Sequence, residues 1–279
     1  MMFLFAAAAA FATMLCARLS LQYYQLESYQ FGGYYRTHKR NFLRAFAPGF
    51  CAAAAGAAAS FLGFWAAYAA QLTAAAVAYC LQRRVKAKKP LVITARVKRL
   101  IGFLAAVCLA LSFGLTFGVR ALALPLLLPA LAPVWLALAA LLALPVEKLI
   151  QRMYMRDARR RLKARPDLIR IGITGSYGKT STKFMLAAVL SEKYRVLATP
   201  GSFNTSMGVT RIIRERLMPD HQVFIAEMGA RHLGDIRLLC KLVKPQYGLL
   251  TSVGPQHLET FHSQENICRE KFELARAIP

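Results

Sequence analysis

Hydrophobic and polar positions give this chain two textures. Up to about residue 147, apolar residues form long runs separated by short basic stretches; beyond residue 167 they form short alternating groups. The first run, residues 1–17, has neither a basic leader nor a small-residue cleavage site, so it reads as a retained helix rather than a removed signal peptide. Residues 18–44 are polar, with five Lys/Arg and one acid. Residues 45–81 then run for 37 positions without a formal charge. About 20 apolar residues suffice to cross a bilayer core, so this run predicts two short spans joined by a turn at residues 60–63. Residues 83–99 are the most basic loop, with eight Lys/Arg and no acid. Residues 100–119 predict a further span. After Arg120, residues 121–146 predict another, interrupted by Pro125, Pro129 and Pro133.

The period changes after residue 167. Ile169, Ile171 and Ile173 alternate with Arg170 and Gly172 as a strand does, and a glycine-rich turn follows. Residues 180–190 predict a helix. Strands are expected at 195–198, 223–226 and 248–252, with helices at 207–217 and 234–243. Strands alternating with helices imply a mainly parallel α/β sheet. The expected organisation is a transmembrane region of about five helices over residues 1–147, a basic linker over 148–167, and an α/β P-loop-type domain over 168–279.

Composition sharpens this division. The chain is 57% hydrophobic and carries 37 Lys+Arg against 13 Asp+Glu, which excludes intrinsic disorder. Residues 1–170 hold 23 Lys+Arg and 4 Asp+Glu, a net of +19; residues 171–279 hold 14 and 9, a net of +5. The basic charge therefore travels with the apolar half, as it does where Lys and Arg flank membrane spans on the cytoplasmic side. Three basic segments on one side require an even number of crossings between them. That gives five spans, an external N-terminus, and a cytoplasmic α/β domain. No motif reads bases or a nucleic-acid backbone, so no nucleic-acid partner is expected. None of the six cysteines forms a C-x-x-C pair, and they read as packing residues rather than disulfide or zinc ligands.

Chemistry concentrates in Thr174-Gly175-Ser176-Tyr177-Gly178-Lys179-Thr180-Ser181, between a strand and a helix. Glycines here let backbone amides curl around phosphate oxygens, with the positive end of the helix behind them. Gly175, Ser176, Tyr177, Gly178, Lys179, Thr180 and Ser181 are thus candidate nucleotide-binding residues. Lys179 would neutralise β- and γ-phosphates and Thr180 would ligate Mg²⁺. The spacing is G-x-x-G-K-T, shorter than the common P-loop, which argues against ordinary kinases, GTPases and transporter ATPases. Glu227 ends an apolar strand, where a carboxylate needs a cation, either a metal ion or Arg231. His257 is a surface histidine or a metal ligand, Asn204 a turn residue, and Lys271 a solvated helical lysine beside Glu270.

Residues 173–181 resemble the ATP loop of the Mur ligase family, which makes amide bonds in peptidoglycan precursors. Gly201-Ser202-Phe203-Asn204-Thr205-Ser206-Met207-Gly208 resembles that family's asparagine-bearing segment. Residues 226–236 resemble its E-[LM]-G-A-x-H-x-G-[ED]-I motif, in the version of the branch that adds D-alanyl-D-alanine to UDP-N-acetylmuramoyl-tripeptide. His257-Leu258-Glu259-Thr260-Phe261 and Lys271-Phe272-Glu273 resemble its H-L-x-x-F and K-x-E positions. The resemblance covers about the last 110 residues.

It implies ATP and Mg²⁺ as cofactors, and phosphoryl transfer to a substrate carboxylate followed by amine attack on the acyl phosphate. Thr180, Glu227, His257 and Lys271 become candidate metal ligands, with Lys271 carbamylated, and Asn204 joins the metal–phosphate cluster. Lys179, Glu227, His257 and Lys271 become candidate catalytic residues, and His232 a positioning one. Implied partners are a cell-wall precursor, an amino acid or dipeptide, membrane lipid and other cell-wall synthesis proteins. The implied location is a bacterial cytoplasmic membrane. The family's domains that bind the UDP-sugar and the incoming amine have no counterpart in these residues. A truncated central domain with an incomplete sheet, inactive alone, is the expectation. Two other readings stay open: an ATP-binding scaffold of cell-wall machinery, and a ligase acting on lipid-linked precursors.

Overall fold

The computed structural model describes residues 1–84, 90–119, 122–201 and 203–279. Part of the basic loop 83–99, the charge at Arg120, and Ser202 of the asparagine-bearing segment lie outside the described residues. The chain divides into two compact units, Met1–Glu147 and Lys148–Pro279.

The first unit is helical. Its elements are α1 (Met2–Cys16), α2 (Arg18–Leu26), α3 (Phe31–Arg40), α4 (Phe42–Ala59), α5 (Phe64–Arg84) and α6 (Ala95–Phe113), with the start of α7 (Ala132–Lys163). Helices α4 and α5 form a hairpin through a 3₁₀ turn at Ser60–Leu62 and Gly63, whose φ of 105° suits a residue without Cβ. The two spans expected in residues 45–81, and the turn between them, are thus two helices and a turn. One π-helical turn, Gly114–Gly118, extends α6, and Pro125 and Pro129 lie in a 3₁₀ segment, Leu124–Leu131. Pro133 sits in the first turn of α7, where a missing amide proton costs nothing.

Residues 18–44 are polar in composition yet mostly helical. Leu19, Leu21, Tyr24 and Tyr34 turn inward, and His38 is held between the Tyr34 carbonyl (2.8 Å) and the Ser20 hydroxyl (2.9 Å). A few apolar side chains at helical spacing are enough to order a polar stretch. Residues 148–163, read from sequence as a linker, continue α7. No Gly or Pro interrupts residues 146–165, and Pro166 follows the helix end.

Among the described residues, four helical segments are long and apolar enough to cross a membrane: Phe42–Leu62, Phe64–Arg84, Ala95–Gly118 and Leu124–Lys163. Met2–Cys16 and Arg18–Leu26, bent by 42°, make a fifth if taken as one span.

The second unit is an α/β layer. Strands β1 (Ile169–Thr174), β2 (Val196–Ala198), β3 (Val223–Glu227) and β4 (Tyr247–Leu250) form a sheet of order β2-β3-β1-β4, every pairing parallel. Its helices are α8 (Lys179–Ser191), α9 (Ser206–Arg216), α10 (Asp235–Val243), the short α11 (Leu258–Phe261) and α12 (Gln264–Arg276). Alternation assigns the faces. Ile171, Ile173, Val223 and Ile225 meet Leu186, Ala187 and Leu190 of α8. Phe224, Ala226 and Met228 meet α9, α10 and α12 on the other side, where Ala158 and Leu162 of α7 complete the core. Ile173 of β1 pairs with Glu227 of β3, and Thr174 with Leu250 of β4, so three strands end at one level. The chain leaves β1 for β2 on one side, and leaves β3 for β4 on the other. Ligands of open parallel sheets settle in the crevice at such a reversal.

Candidate functional site

At the end of β1 the chain must reverse into α8 within four residues, and glycine makes this possible. Gly175 has φ 151°, and a Cβ there would collide with Thr251; Gly178 caps α8 in the left-handed region at φ 78°. A second segment, 251–254, clamps the loop. The Ser176 amide donates to the Ser252 carbonyl (2.7 Å) and the Tyr177 amide to the Ser252 hydroxyl (3.0 Å). The Ser176 hydroxyl donates to the Gly254 carbonyl (2.9 Å), and the Thr251 hydroxyl to the Tyr177 carbonyl (2.6 Å). Two amides expected to cradle phosphate are therefore committed to protein. The amides of Gly178, Lys179, Thr180 and Ser181 have no partner among the described residues. These are the orphan donors of a helix start, and they favour an anion.

Lys179 arches back over this loop, its ammonium donating to the carbonyls of Gly175 (2.7 Å) and Ser176 (3.0 Å). Burial pulls its pKa below the usual lysine value, and the Glu227 carboxylate partly offsets the shift. Thr180 donates its hydroxyl to Glu227 Oε2 at 3.0 Å, so two residues 47 positions apart meet as expected for a shared cluster.

Glu227 is buried, and the protein itself supplies its cation. Lys183, one turn after Lys179, is fully buried and places its ammonium 2.9 Å from Glu227 Oε2 and 2.6 Å from the Gly201 carbonyl. Asn204 Nδ2 donates to Glu227 Oε1 at 3.0 Å, and the Asn204 carbonyl accepts from the Gly229 amide at 2.8 Å. A Cβ at Gly229 would stand 2.7 Å from Asn204 Cγ, so this approach needs glycine. Burial opposes ionisation of Glu227, yet donors from Lys183, Asn204 and Thr180 prevail and hold its pKa below the ordinary carboxylate value. Sequence reasoning missed Lys183. Its signal was a lysine in an otherwise apolar stretch of helix, four residues past Lys179.

Lys271 is 2% exposed, so it is not solvated. Its ammonium makes no hydrogen bond or ion pair among the described residues. Burial first and the neighbouring Lys179 charge second push its pKa down to about 8. The adjacent Glu270 is engaged elsewhere, accepting the amides of Gly234 and Ile236 at 2.7 Å each and so capping α10. His257 is exposed with φ 57°. Partial burial and the charges of Arg231, Lys271 and Lys179 lower its pKa. Those three cations and His257 thus share one field of positive potential. Tyr177 is exposed, with its hydroxyl on the Pro255 carbonyl at 3.3 Å. Ser181 is exposed, and His232 is half-exposed near Asp235 at 3.9 Å.

Thr180 and Glu227 offer hard oxygen donors side by side, the donor type Mg²⁺ takes, with the Asn204 amide next to them. The structure does not bring His257 into hydrogen-bond contact with that pair. No group of three His, Cys, Asp or Glu poised for a metal occurs among the described residues. On geometry the site divides into a carboxylate–hydroxyl pair backed by Lys183, and a cationic shelf of Lys179, Arg231 and Lys271 whose field keeps His257 neutral.

Residues 173–279 match the model of the Mur ligase middle domain. The chain is 43% identical over 109 residues to the UDP-N-acetylmuramoyl-tripeptide--D-alanyl-D-alanine ligase of Treponema pallidum (strain Nichols), covering 39% of this chain and 24% of that protein. It is 46% identical over 110 residues to the enzyme of the same name from Mycobacterium tuberculosis (strain ATCC 25618 / H37Rv), covering 39% and 21%. Among solved structures it is similar to a MurF ligase from Thermotoga maritima in complex with ADP, at 34% identity and a TM-score of 0.44, covering 46% of this chain and 30% of that one. The chain spans less than a quarter of the length of the two sequence relatives.

Proposed function

We propose that residues 168–279 are the nucleotide-binding core of a Mur-type, ATP-dependent amide-forming ligase of peptidoglycan precursor synthesis, anchored in a membrane by residues 1–147. The observation that carries this reading is the meeting of Thr180 and Glu227 at 3.0 Å beside the open start of α8, with Lys179 over the loop. The sequence match of residues 173–279 supports it independently.

In this reading the amides of Gly178 to Ser181 receive the phosphates, and Lys179 leaves the Gly175 and Ser176 carbonyls to meet the terminal phosphoryl oxygens. Thr180 and Glu227 would hold Mg²⁺, which when bound supplies positive charge where phosphoryl charge builds up. Lys183 keeps Glu227 ionised and fixed, and Asn204 orients its second oxygen. The substrate carboxylate takes the phosphoryl group, and the amine then displaces phosphate from the acyl phosphate. The Lys179 and Arg231 charges would stabilise an anionic intermediate, with neutral His257 beside them. A buried lysine with its pKa near 8 holds an appreciable neutral fraction at neutral pH, the form that takes up CO₂. Carbamylation would turn Lys271 into an anion able to hold a second metal ion. Relatives of this segment are named for joining D-alanyl-D-alanine to UDP-N-acetylmuramoyl-tripeptide, and we assign this chain the same substrate class.

The membrane placement rests on the helical segments and on the basic stretches between them. It puts the N-terminus outside and the α/β unit in the bacterial cytoplasm. Cysteine labelling of residues 90–99 from the outer face would contradict it.

The decisive measurement is titration of the full chain in detergent with ATP and Mg²⁺. Binding is expected, and Lys179→Ala should weaken it by roughly 10- to 100-fold, the worth of a charge-assisted contact. Undiminished affinity in that variant would remove the nucleotide assignment.

A further inference from the structure

Unit Met1–Glu147 holds fourteen Lys/Arg but two acids, Glu27 and Glu147. Glu147 is engaged by Arg99 at 2.6 Å and Arg96 at 3.6 Å, and Glu27 accepts the Thr37 hydroxyl at 2.7 Å. Arg18 and Arg44 make no ion pair with a carboxylate among the described residues of this unit. Both stand at helix ends that border a groove of about 660 Å³ between α2, α4 and α5.

Three helix faces line the groove, each at helical spacing: Leu19 and Tyr23 of α2; Arg44, Ala47, Pro48 and Cys51 of α4; Ala74, Val77, Ala78, Leu81 and Gln82 of α5. Helices α4 and α5 run antiparallel, so Arg44 at the start of one lies level with Gln82 at the end of the other. The polar groups of Arg44, Gln82 and Tyr23 thus gather at one end, and the other end, toward Cys51 and Ala74, is apolar. Gln82 supplies the second observation. It is 5% exposed, and its Oε1 accepts the Leu19 amide at 3.1 Å, but its Nε2 is buried without a partner. A buried donor left unpaired is uncommon in a finished site and points to an acceptor that belongs there. Arg18 Nη1, one residue before Leu19, is likewise buried and unpartnered, its guanidinium 5.5 Å from the Tyr79 ring.

We propose that this groove binds a membrane lipid with an anionic phosphate head, its phosphate against Arg44 and Gln82 and its hydrocarbon tail along Pro48, Ala78 and Cys51. The chemistry is complementary at both ends. The head meets a guanidinium and an amide donor that lack partners among the described residues, and the tail meets methyl and methylene groups. The polar end belongs to the basic stretch that the charge pattern assigns to the cytoplasmic side, where anionic lipids add to the attraction. The inference rests on the membrane placement proposed above.

The test is native mass spectrometry of the full chain released from detergent micelles. The probes are dioleoyl phosphatidic acid, dioleoyl phosphatidylcholine and inorganic phosphate. Phosphatidic acid should bind saturably, and the other two roughly tenfold more weakly or less. Arg44→Gln, an exposed position, should reduce phosphatidic acid affinity about tenfold. Ala78→Phe, which fills the tail end, should do the same. Equal binding of phosphatidylcholine, displacement of the lipid by inorganic phosphate, or unchanged affinity in Arg44→Gln would each overturn the proposal. Should Ala78→Phe fail to fold, Arg44→Gln decides alone. Carbonate extraction of membranes separates the two readings. A chain released by carbonate refutes the membrane placement and the lipid site together. A chain that resists carbonate but shows no lipid preference refutes the site only.

Discussion

In the helical unit most side chains at zero exposure are small, among them Ala6, Ala9, Ala12, Ala52, Ala67, Ala75 and Ala139 with Thr13, Ser20 and Ser112, and the larger ones are Val97, Leu136 and Gln71. Many of its large apolar residues stand outward, Phe61 at 92% exposed, Leu62 at 84% and Trp65 at 58%. In the α/β unit the fully buried side chains are large, among them Phe224, Ile225, Met228, Ile236 and Phe261, and most of its charges are outside. The membrane placement proposed above accounts for the difference. Water rewards burial of large apolar groups. Hydrocarbon does not, so helices surrounded by it approach through small residues and hydroxyls and leave bulky side chains facing out. The exceptions sharpen the contrast. Four buried charges, Glu227, Lys183, Glu270 and Lys271, lie in the α/β unit around the candidate site, whereas the helical unit buries Glu147, paired with Arg99.

The largest effect should come from splitting the buried pair. Lys183→Met leaves Glu227 with neutral donors only, and we expect it to destabilise the α/β unit by about 3–5 kcal/mol. Hydrogen exchange would read this as faster exchange in β1 and β3 with α4 and α5 unchanged. A loss below about 1 kcal/mol would mean that the pair does not hold the site together.

Next comes a pH dependence confined to the α/β unit. Lys271 has its folded pKa lowered to about 8 from 10.5. Between those values the unfolded chain binds more protons, so stability should rise with pH across that window, by up to about 3 kcal/mol. The burial penalty is fully in force below the window. Lys271→Met should flatten this rise, and an equally steep rise in that variant would locate the titrating group elsewhere.

The smallest effects test the small-residue packing of the helical unit. Ala12→Leu adds volume where helices touch and should cost about 1–3 kcal/mol. Phe61→Ser, on the outward face, should change stability in detergent by under about 0.5 kcal/mol. Thermal unfolding in one detergent compares them, and a reversed order would mean that the helices pack through their large side chains.

Helix and strand placement was largely legible, because run length and period are local properties. The two runs in residues 45–81, the alternation at Ile169 to Ile173, and the glycine turn before Lys179 each give their element within a few residues. The helices of the polar stretch 18–44 were not legible, because its average hydrophilicity hid Leu19, Leu21, Tyr24 and Tyr34, which order it from one side. The stretch 148–163 misled because a basic linker and a basic helix share one composition, and the uninterrupted run to Pro166 settled the matter for the helix.

The sequence by itself determined the parallel order of chemistry along the chain: a G-x-x-G-K-T turn at a strand end, a carboxylate at the next central strand end, and the late segments bearing His257 and Lys271. Those features depend on backbone dihedrals and on side-chain period, which neighbouring residues fix. Only the tertiary structure decided which groups are desolvated and which cation answers which anion. Lys183 and Glu227 are 44 residues apart, and Ser176 and Gly254 are 78 apart. Their pairing follows from parallel strands ending at one level. So do the release of Glu227 from any need of Arg231, the commitment of the Ser176 and Tyr177 amides to Ser252, and the burial of Lys271 beside Lys179. Charge burial is set by what the folded chain brings from a distance, and no window along the sequence contains it.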